Sequence, residues 1–311
     1  MSGCTGVQSA LAPSGPAARD IAELFWIMTV GGGLIFVAVL ALALYAVYAP
    51  REPRSVRFGH GLILGGAVVF PTLVLGALLV YGLRMLPSQL APAPPGSLRV
   101  HVEGLQWWWR VRYEPRAGEG FELANEIVLP RGRPVQFLLT SADVIHSFWI
   151  PSLAGKVDMI PGRATRLAVT ATRAGEYRGA CAEYCGTSHA WMAFSVRVLE
   201  PADFDAWLAG QRAPARVVAE AEPGRRAFAE YGCGACHTVR GEVARASLAP
   251  DLTHVGSRLT LGAGLFSNDD RSRLRWLTNT DVVKPGVHMP AFGMVPAARL
   301  RDLSVYLGSL Q

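Results

Sequence analysis

The chain has 311 residues, a formal net charge of +6 and a mean hydropathy of +0.25, with half of it apolar and only 17% charged. That composition excludes an intrinsically disordered chain, which needs low hydrophobicity and high charge, and five cysteines are too few for a disulfide-dense secreted scaffold. The apolar excess is concentrated in the first 85 residues, which argues against a polytopic transporter, and all basic residues but Lys156 and Lys284 are arginine, so the positive balance reads as coding bias and predicts no nucleic-acid partner.

Leu24 to Ala49 runs 26 residues without a charge, and Gly61 to Leu83 runs 23. Each exceeds the roughly 20 residues needed to cross a bilayer core, so the sequence predicts a two-helix transmembrane hairpin over 21–85. A buried core helix is the alternative for one such run, but not for two so close together. Pro71 falls inside the second span and implies neighbouring helices to cover the carbonyl it frees. The intervening loop carries Arg51, Arg54 and Arg57 against Glu52, which by the positive-inside rule makes it cytoplasmic. Both termini are then expected on the outer, periplasmic face of a bacterial plasma membrane. Residues 1–20 form an outer-face segment in which Ser2-Gly3-Cys4 has the small-small-Cys form of a lipoprotein cleavage site without a hydrophobic segment ahead of it. Two readings stand: a lipid on Cys4, with a start further upstream, or an incidental cysteine.

Leu86 to Ser97 is Pro-rich and reads as a semi-rigid spacer. Leu98–Tyr113, Pro134–Thr140, Thr165–Thr172 and Ala193–Leu199 are strand-like runs separated by Gly, Pro and Asp, which predicts a small all-β sandwich or barrel over 98–200. Pro201 to Gly210 reads as a short closing helix and Gln211 to Glu222 as a linker. From Pro223 the pattern turns helical, and Leu300, Leu303, Leu307 and Leu310 recur at helical spacing near the end.

Within twelve residues, Cys181-Ala-Glu-Tyr-Cys185-Gly-Thr-Ser-His189-Ala-Trp-Met192 offers two thiols, an imidazole and a thioether, and His146 lies upstream in Ile-His-Ser-Phe-Trp. Soft sulfur ligands with imidazole favour copper over hard cations. The set exceeds a mononuclear blue-copper site by one thiolate, and an extra thiolate can bridge a second copper. Other readings are a structural disulfide, a zinc site, for which Met192 is a poor ligand, and a thioredoxin-type copper chaperone, whose fold needs alternating strands and helices.

This motif, the two spans, His146-Ser-Phe and Gln106-Trp107-Trp108-Trp109 together resemble subunit II of cytochrome c oxidase over roughly residues 5–200. The resemblance implies a cupredoxin barrel holding a dinuclear copper A centre. Its ligands would be His146, Cys181, Cys185, His189 and Met192, with Glu183 binding through its backbone carbonyl and its carboxylate reaching an interfacial magnesium. It also implies a catalytic haem–copper subunit I and a subunit III as partners, a loop at Lys156–Arg163 facing subunit I, and Trp107 as the point where electrons enter. The family often carries a Glu seven residues before the second-span proline; here that position is Leu64, so the proton-uptake role is not carried over. For Trp108 and Trp109 packing is the expected role.

Cys233-Gly-Ala-Cys236-His237 is the C-x-x-C-H motif of covalent haem c attachment, with His237 as the proximal iron ligand. A zinc knuckle would need a second C-x-x-C. Met289, in Val-His288-Met289-Pro290, is the expected sixth ligand, with Met294 and His288 as competitors. Residues 223–311 thus resemble an all-α class I cytochrome c. The whole reads as the electron-input subunit of a haem–copper terminal oxidase, taking electrons from a soluble or membrane-bound donor through its own haem to copper A. Alternatives are the equivalent subunit of a nitric-oxide reductase and a membrane-anchored copper-binding assembly protein.

Overall fold

The computed structural model describes residues 5–49, 56–114 and 120–311; Cys4 and the basic loop residues Arg51 and Arg54 lie outside them. The chain divides into two compact units, one formed by residues 19–91 and the other by residues 1–18 with 92–311.

The smaller unit is helical. Helix α1 spans Pro16–Tyr48, and the second rod is built from α2 (Val56–Leu62), a wider-wound turn at Ile63–Val69 and α3 (Phe70–Leu90). Both rods are long and apolar enough to cross a bilayer, with mean hydropathies of 2.5 and 2.4, and side chains such as Leu34 and Val47 are exposed rather than packed in a core. Around Pro71 the helix adjusts its own hydrogen bonding. Phe70 N donates to Gly65 O, five residues back, and Thr72 Oγ1 donates to Val68 O at 2.7 Å. The expected spacer is also shorter, because α3 continues through Pro87 to Leu90. Proline's φ is helical, and its cost there is one lost hydrogen bond.

The larger unit begins with a turn-rich N-terminal segment laid on a β-sandwich. Arg178 N donates to Val7 O, Ser14 N to Ser152 O and Thr172 N to Ser14 O, at 2.6–2.9 Å. Ten strands follow: β1 (Leu98–Leu105), β2 (Trp108–Glu114), β3 (Phe121–Ala124), β4 (Glu126–Pro130), β5 (Pro134–Ser141), β6 (His146–Trp149), β7 (Val157–Met159), β8 (Thr165–Thr170), β9 (Gly175–Cys181) and β10 (Ala193–Leu199). They form two five-stranded sheets, ordered β3-β2-β1-β5-β8 and β4-β10-β9-β6-β7. The run from Leu98 to Tyr113 is a hairpin and not one strand. Leu105 pairs with Trp108, so Gln106 and Trp107 occupy the turn and only Trp108 and Trp109 lie on a strand. On β2 burial alternates, as the pleat requires when one face is covered. Trp109, Tyr113, Phe137, Phe148 and Phe194 fill the space between the sheets. Tyr113 ties them together, since its hydroxyl accepts from Val128 N and donates to Val128 O.

Helix α4 (Pro201–Gln211) closes the sandwich through Phe204. The expected linker is packed: Ala215 N bonds Arg240 O at 2.9 Å, and Val217 and the fully buried Ala221 join the next core. That core belongs to α5 (Glu222–Glu230), the short β11 (Thr260–Leu261) and β12 (Phe266–Ser267), α6 (Asp270–Thr278), α7 (Thr280–Val283) and α8 (Ala297–Ser309). Helices α5 and α8 cross closely at Gly224, where a Cβ would stand 2.0 Å from Asp302 O. Leu300, Leu303 and Leu310 are buried there, as their spacing predicts.

Candidate metal centres

Topology brings the soft ligands together. Phe148 on β6 pairs with Cys181 at the end of β9, which sets His146 beside Cys181 although 35 residues separate them. The chain from Cys181 then loops through Cys185 and His189 to Met192 and re-enters the sheet at Ala193, whose strand partner is Ala180. His146, Cys181 and Cys185 place their ligand atoms within 4.8 Å of one another. Cys181 Sγ lies 3.8 Å from His146 Nδ1, 3.8 Å from Cys185 Sγ and 3.2 Å from Glu183 O. Cys185 Sγ lies 3.4 Å from His189 Nδ1 and 3.7 Å from Met192 Sδ. The Glu183 side chain is exposed.

Among the described residues the cysteines are unpaired, so the site is a cluster of thiols and not a disulfide. Two sulfurs 3.8 Å apart can both bond one ion at a metal–sulfur length of about 2.3 Å, and nitrogen, thioether and carbonyl donors stand around them. The donor set therefore fits soft, borderline copper.

The polypeptide's own fields favour a single thiolate, on Cys181. Cys181 is pulled down to about 4, chiefly by the hydrogen bond from Cys185, with burial opposing and His146 assisting. Cys185 is pushed the other way, chiefly by its hydrogen bond to Cys181, then by burial and the Cys181 charge beside it. Burial works against a charged His146, but its hydrogen bonds to Cys181 and Asp143 outweigh it and raise the pKa. His146 is fully buried, and its Nε2 lies 2.8 Å from Asp143 Oδ1. That bond orients the ring with Nδ1 towards Cys181. Sequence reading missed Asp143; the only available signal was a carboxylate three residues before the histidine. Gly104 lies against the same ring, where a Cβ would be 2.7 Å away.

Trp107 is 7% exposed, and its Nε1 donates to Cys185 O at 3.0 Å. Trp109 is wholly buried, while Trp108 is capped by the Arg110 guanidinium 5.1 Å from its ring centre.

In the helical domain, Gly232 takes a left-handed φ of +72° and lets the chain turn into the Cys233–Ala235 helical turn. His237 Nδ1 donates to Pro250 O at 2.7 Å, which fixes the tautomer and leaves Nε2 as a free donor atom. Burial lowers the His237 pKa and so keeps the ring neutral; it raises the Cys233 thiol to about 11. Met289 packs against the helical core, whereas Met294 is 83% exposed and His288 is exposed. His254 is held by Ala213 O at 3.1 Å, a structural role.

An apolar two-helix anchor, a cupredoxin-type β-barrel with a soft metal cluster and a C-x-x-C-H helical domain define a membrane-bound electron-transfer protein. Residues 114–199 match the family described as cytochrome C oxidase subunit II, periplasmic domain, and residues 221–311 match cytochrome c. Cytochrome c oxidase subunit 2 of Alkalihalophilus pseudofirmus is 32% identical over 100% of this chain and 94% of its own length. That of Bacillus sp. strain PS3 is 33% identical, covering 68% of this chain and 62% of its own. The crystal structure of the periplasmic domain of subunit II of cytochrome oxidase of Bradyrhizobium japonicum aligns with a TM-score of 0.36 and 31% identity, covering 39% of this chain and 96% of that one. The chain belongs to the cytochrome c oxidase subunit 2 family and carries a cytochrome c domain.

Proposed function

We propose that this chain receives electrons for a haem–copper oxidase through two resident centres: a dinuclear copper A held by His146, Cys181, Cys185, His189, Met192 and the Glu183 carbonyl, and a haem c bound covalently to Cys233 and Cys236 with His237 and Met289 on its iron. When bound, these groups supply one-electron transfer from a donor to the catalytic subunit, where oxygen is reduced to water with proton translocation. The observation that carries the reading is the gathering of two imidazoles, a thioether and a carbonyl around a pair of adjacent thiols. The polypeptide's part is to hold these donors on rigid strands in dry surroundings. Glu183, an exposed residue, would share an interfacial magnesium with subunit I, and subunit III completes the assembly. The metal domains and the N-terminus lie on the periplasmic side, with Cys4 as a lipid site. Electrons enter copper A through Trp107, whose indole Nε1 donates to Cys185 O.

The direct test is to co-purify the chain from membranes and measure copper, iron and oxygen uptake. Two coppers and one haem per chain are expected; one copper with no haem would point to an assembly protein. Two substitutions refine it. Met289→Ala should abolish the low-spin, methionine-ligated haem spectrum and leave the copper signal intact; unchanged haem absorption would move the axial role elsewhere. Asp143→Ala should weaken copper binding by about 10- to 100-fold, because the His146 ring then loses the partner that fixes its tautomer and raises its basicity. Competition with a copper chelator measures this, and an unaltered affinity would remove Asp143 from the centre.

A further inference from the structure

Where the helical domain meets the barrel, a lysine is buried. Lys284 is 2% exposed, and among the described residues no carboxylate forms an ion pair with it. Its Nζ donates to Trp107 O at 2.7 Å, Gly262 O at 2.8 Å and Trp191 O at 2.9 Å. The three carbonyls come from the β1–β2 turn, the β11–β12 connection and the loop that ends at Met192. An ammonium has three N–H donors, and here each has a partner. Burial pulls the group down to about 7, the expense of taking a charge out of water.

Composition makes the residue type informative. The chain uses arginine at every basic position except Lys156 and Lys284. A planar guanidinium fork cannot turn three N–H groups from one nitrogen onto three surrounding carbonyls, whereas an ammonium can. The following residues continue the contact. Ser188 Oγ donates to Pro285 O at 2.6 Å. Gly286 has φ +84° and passes so near Trp107 that a Cβ would stand 2.8 Å from the indole. Val287 packs against the barrel core, and Met289, two residues on, packs against the helical core. The stretch from Lys284 to Met289 thus leads from the thiol cluster's surroundings into the helical domain.

We propose that Lys284 is a positioning residue that seats the haem-bearing domain in one fixed orientation on the thiol-cluster face of the barrel. Electrons then cross between the two centres without a docking step. One electron is lost by the haem and gained by the copper pair at each passage, and no bond or proton changes at Lys284. The proposal rests on the copper and haem reading above.

The test uses the full chain in detergent, with Lys284→Met, which keeps the stem and removes the donors, and Lys284→Arg, which keeps the charge and changes its geometry. Hydrogen exchange is read at the segments around Trp107, Trp191 and Gly262. In both variants it should rise at least about tenfold, the loss of charged hydrogen bonds being large enough for this, while the strands and helices of each core keep their protection. In metal-loaded protein, haem-to-copper transfer after photoreduction should slow about tenfold or more and become sensitive to viscosity, a sign that a docking step now gates it, with both optical spectra unchanged. Unaltered exchange at those segments, full rescue by arginine, or a rise spread evenly over both cores would overturn the proposal. Should both Lys284 variants fail to fold, Ser188→Ala removes the neighbouring bond without leaving a charge, and it must raise exchange at the same segments for the proposal to stand. Because exchange needs no metal, its result separates failure of this inference from failure of the copper and haem assignment.

Discussion

Cys185→Ser is expected to abolish the spectroscopic signature of one unpaired electron shared by two coppers and to leave at most one copper per chain. Cys185 sits at the middle of the cluster, with Cys181 Sγ, His189 Nδ1 and Met192 Sδ all within 3.8 Å. A serine hydroxyl is a hard donor that stays protonated, so it can neither bridge nor share charge as a thiolate does. Substituting a residue that only orients a ligand costs about 10- to 100-fold, so removal of a shared ligand should lower electron delivery by roughly a hundredfold or more. Electron paramagnetic resonance, copper counting and oxygen uptake of the co-purified complex provide the readings. The haem spectrum serves as the internal control, because Cys233 packs against a separate core and Cys236 and His237 follow it directly in the chain. An intact shared-spin signal in the variant would remove Cys185 from the centre.

The largest expected loss of stability follows Trp109→Ala. The indole is wholly buried and packs edge-on against Phe194 and Phe148, with ring centroids 5.2 and 5.9 Å away. It also lies 6.1 Å from the His146 ring. Truncating a buried tryptophan costs about 3–5 kcal/mol, the transfer term plus the cavity left behind. Across two separate cores a single unfolding midpoint would be ambiguous, so the reading should be hydrogen exchange of the β1, β2 and β5 amides. Their protection should fall by roughly two to four powers of ten, while the helical domain is unaffected. Because the same indole supports His146, copper affinity should fall too. A barrel with undiminished protection would show that Trp109 is not the keystone of this core.

The metal motifs were legible because their chemistry is local: the spacing of Cys181, Cys185, His189 and Met192 lies within one loop, as does Cys233–His237. The apolar helices declared themselves through length alone. What stayed hidden depends on tertiary closeness. Lys284 carries no signal in its own neighbourhood, and its partners lie 22 to 177 residues away, whereas Asp143 stands only three residues before His146 and a carboxylate at that spacing is too common to single out. The three tryptophans read as one strand because propensity does not reveal a hairpin whose turn contains an aromatic residue; pairing of Leu105 with Trp108 overrides it. The stretch after Gln211 reads as a linker because its alanines and its one proline, Pro214, show no periodicity, yet the tucked Ala221 needs only to be small to be buried.

The wide-wound stretch at Ile63–Val69 alters how the second rod should be mapped. Each residue there advances by less than the roughly 100° of an α-helix. A single helical wheel drawn through the rod consequently assigns the wrong azimuth to everything on one side of it. Val56–Leu62 and Phe70–Leu90 each need a wheel of their own. A tryptophan scan of the span should accordingly trace two angularly offset stripes of intolerance rather than one continuous stripe, and Leu64, inside the widened turn, belongs to neither.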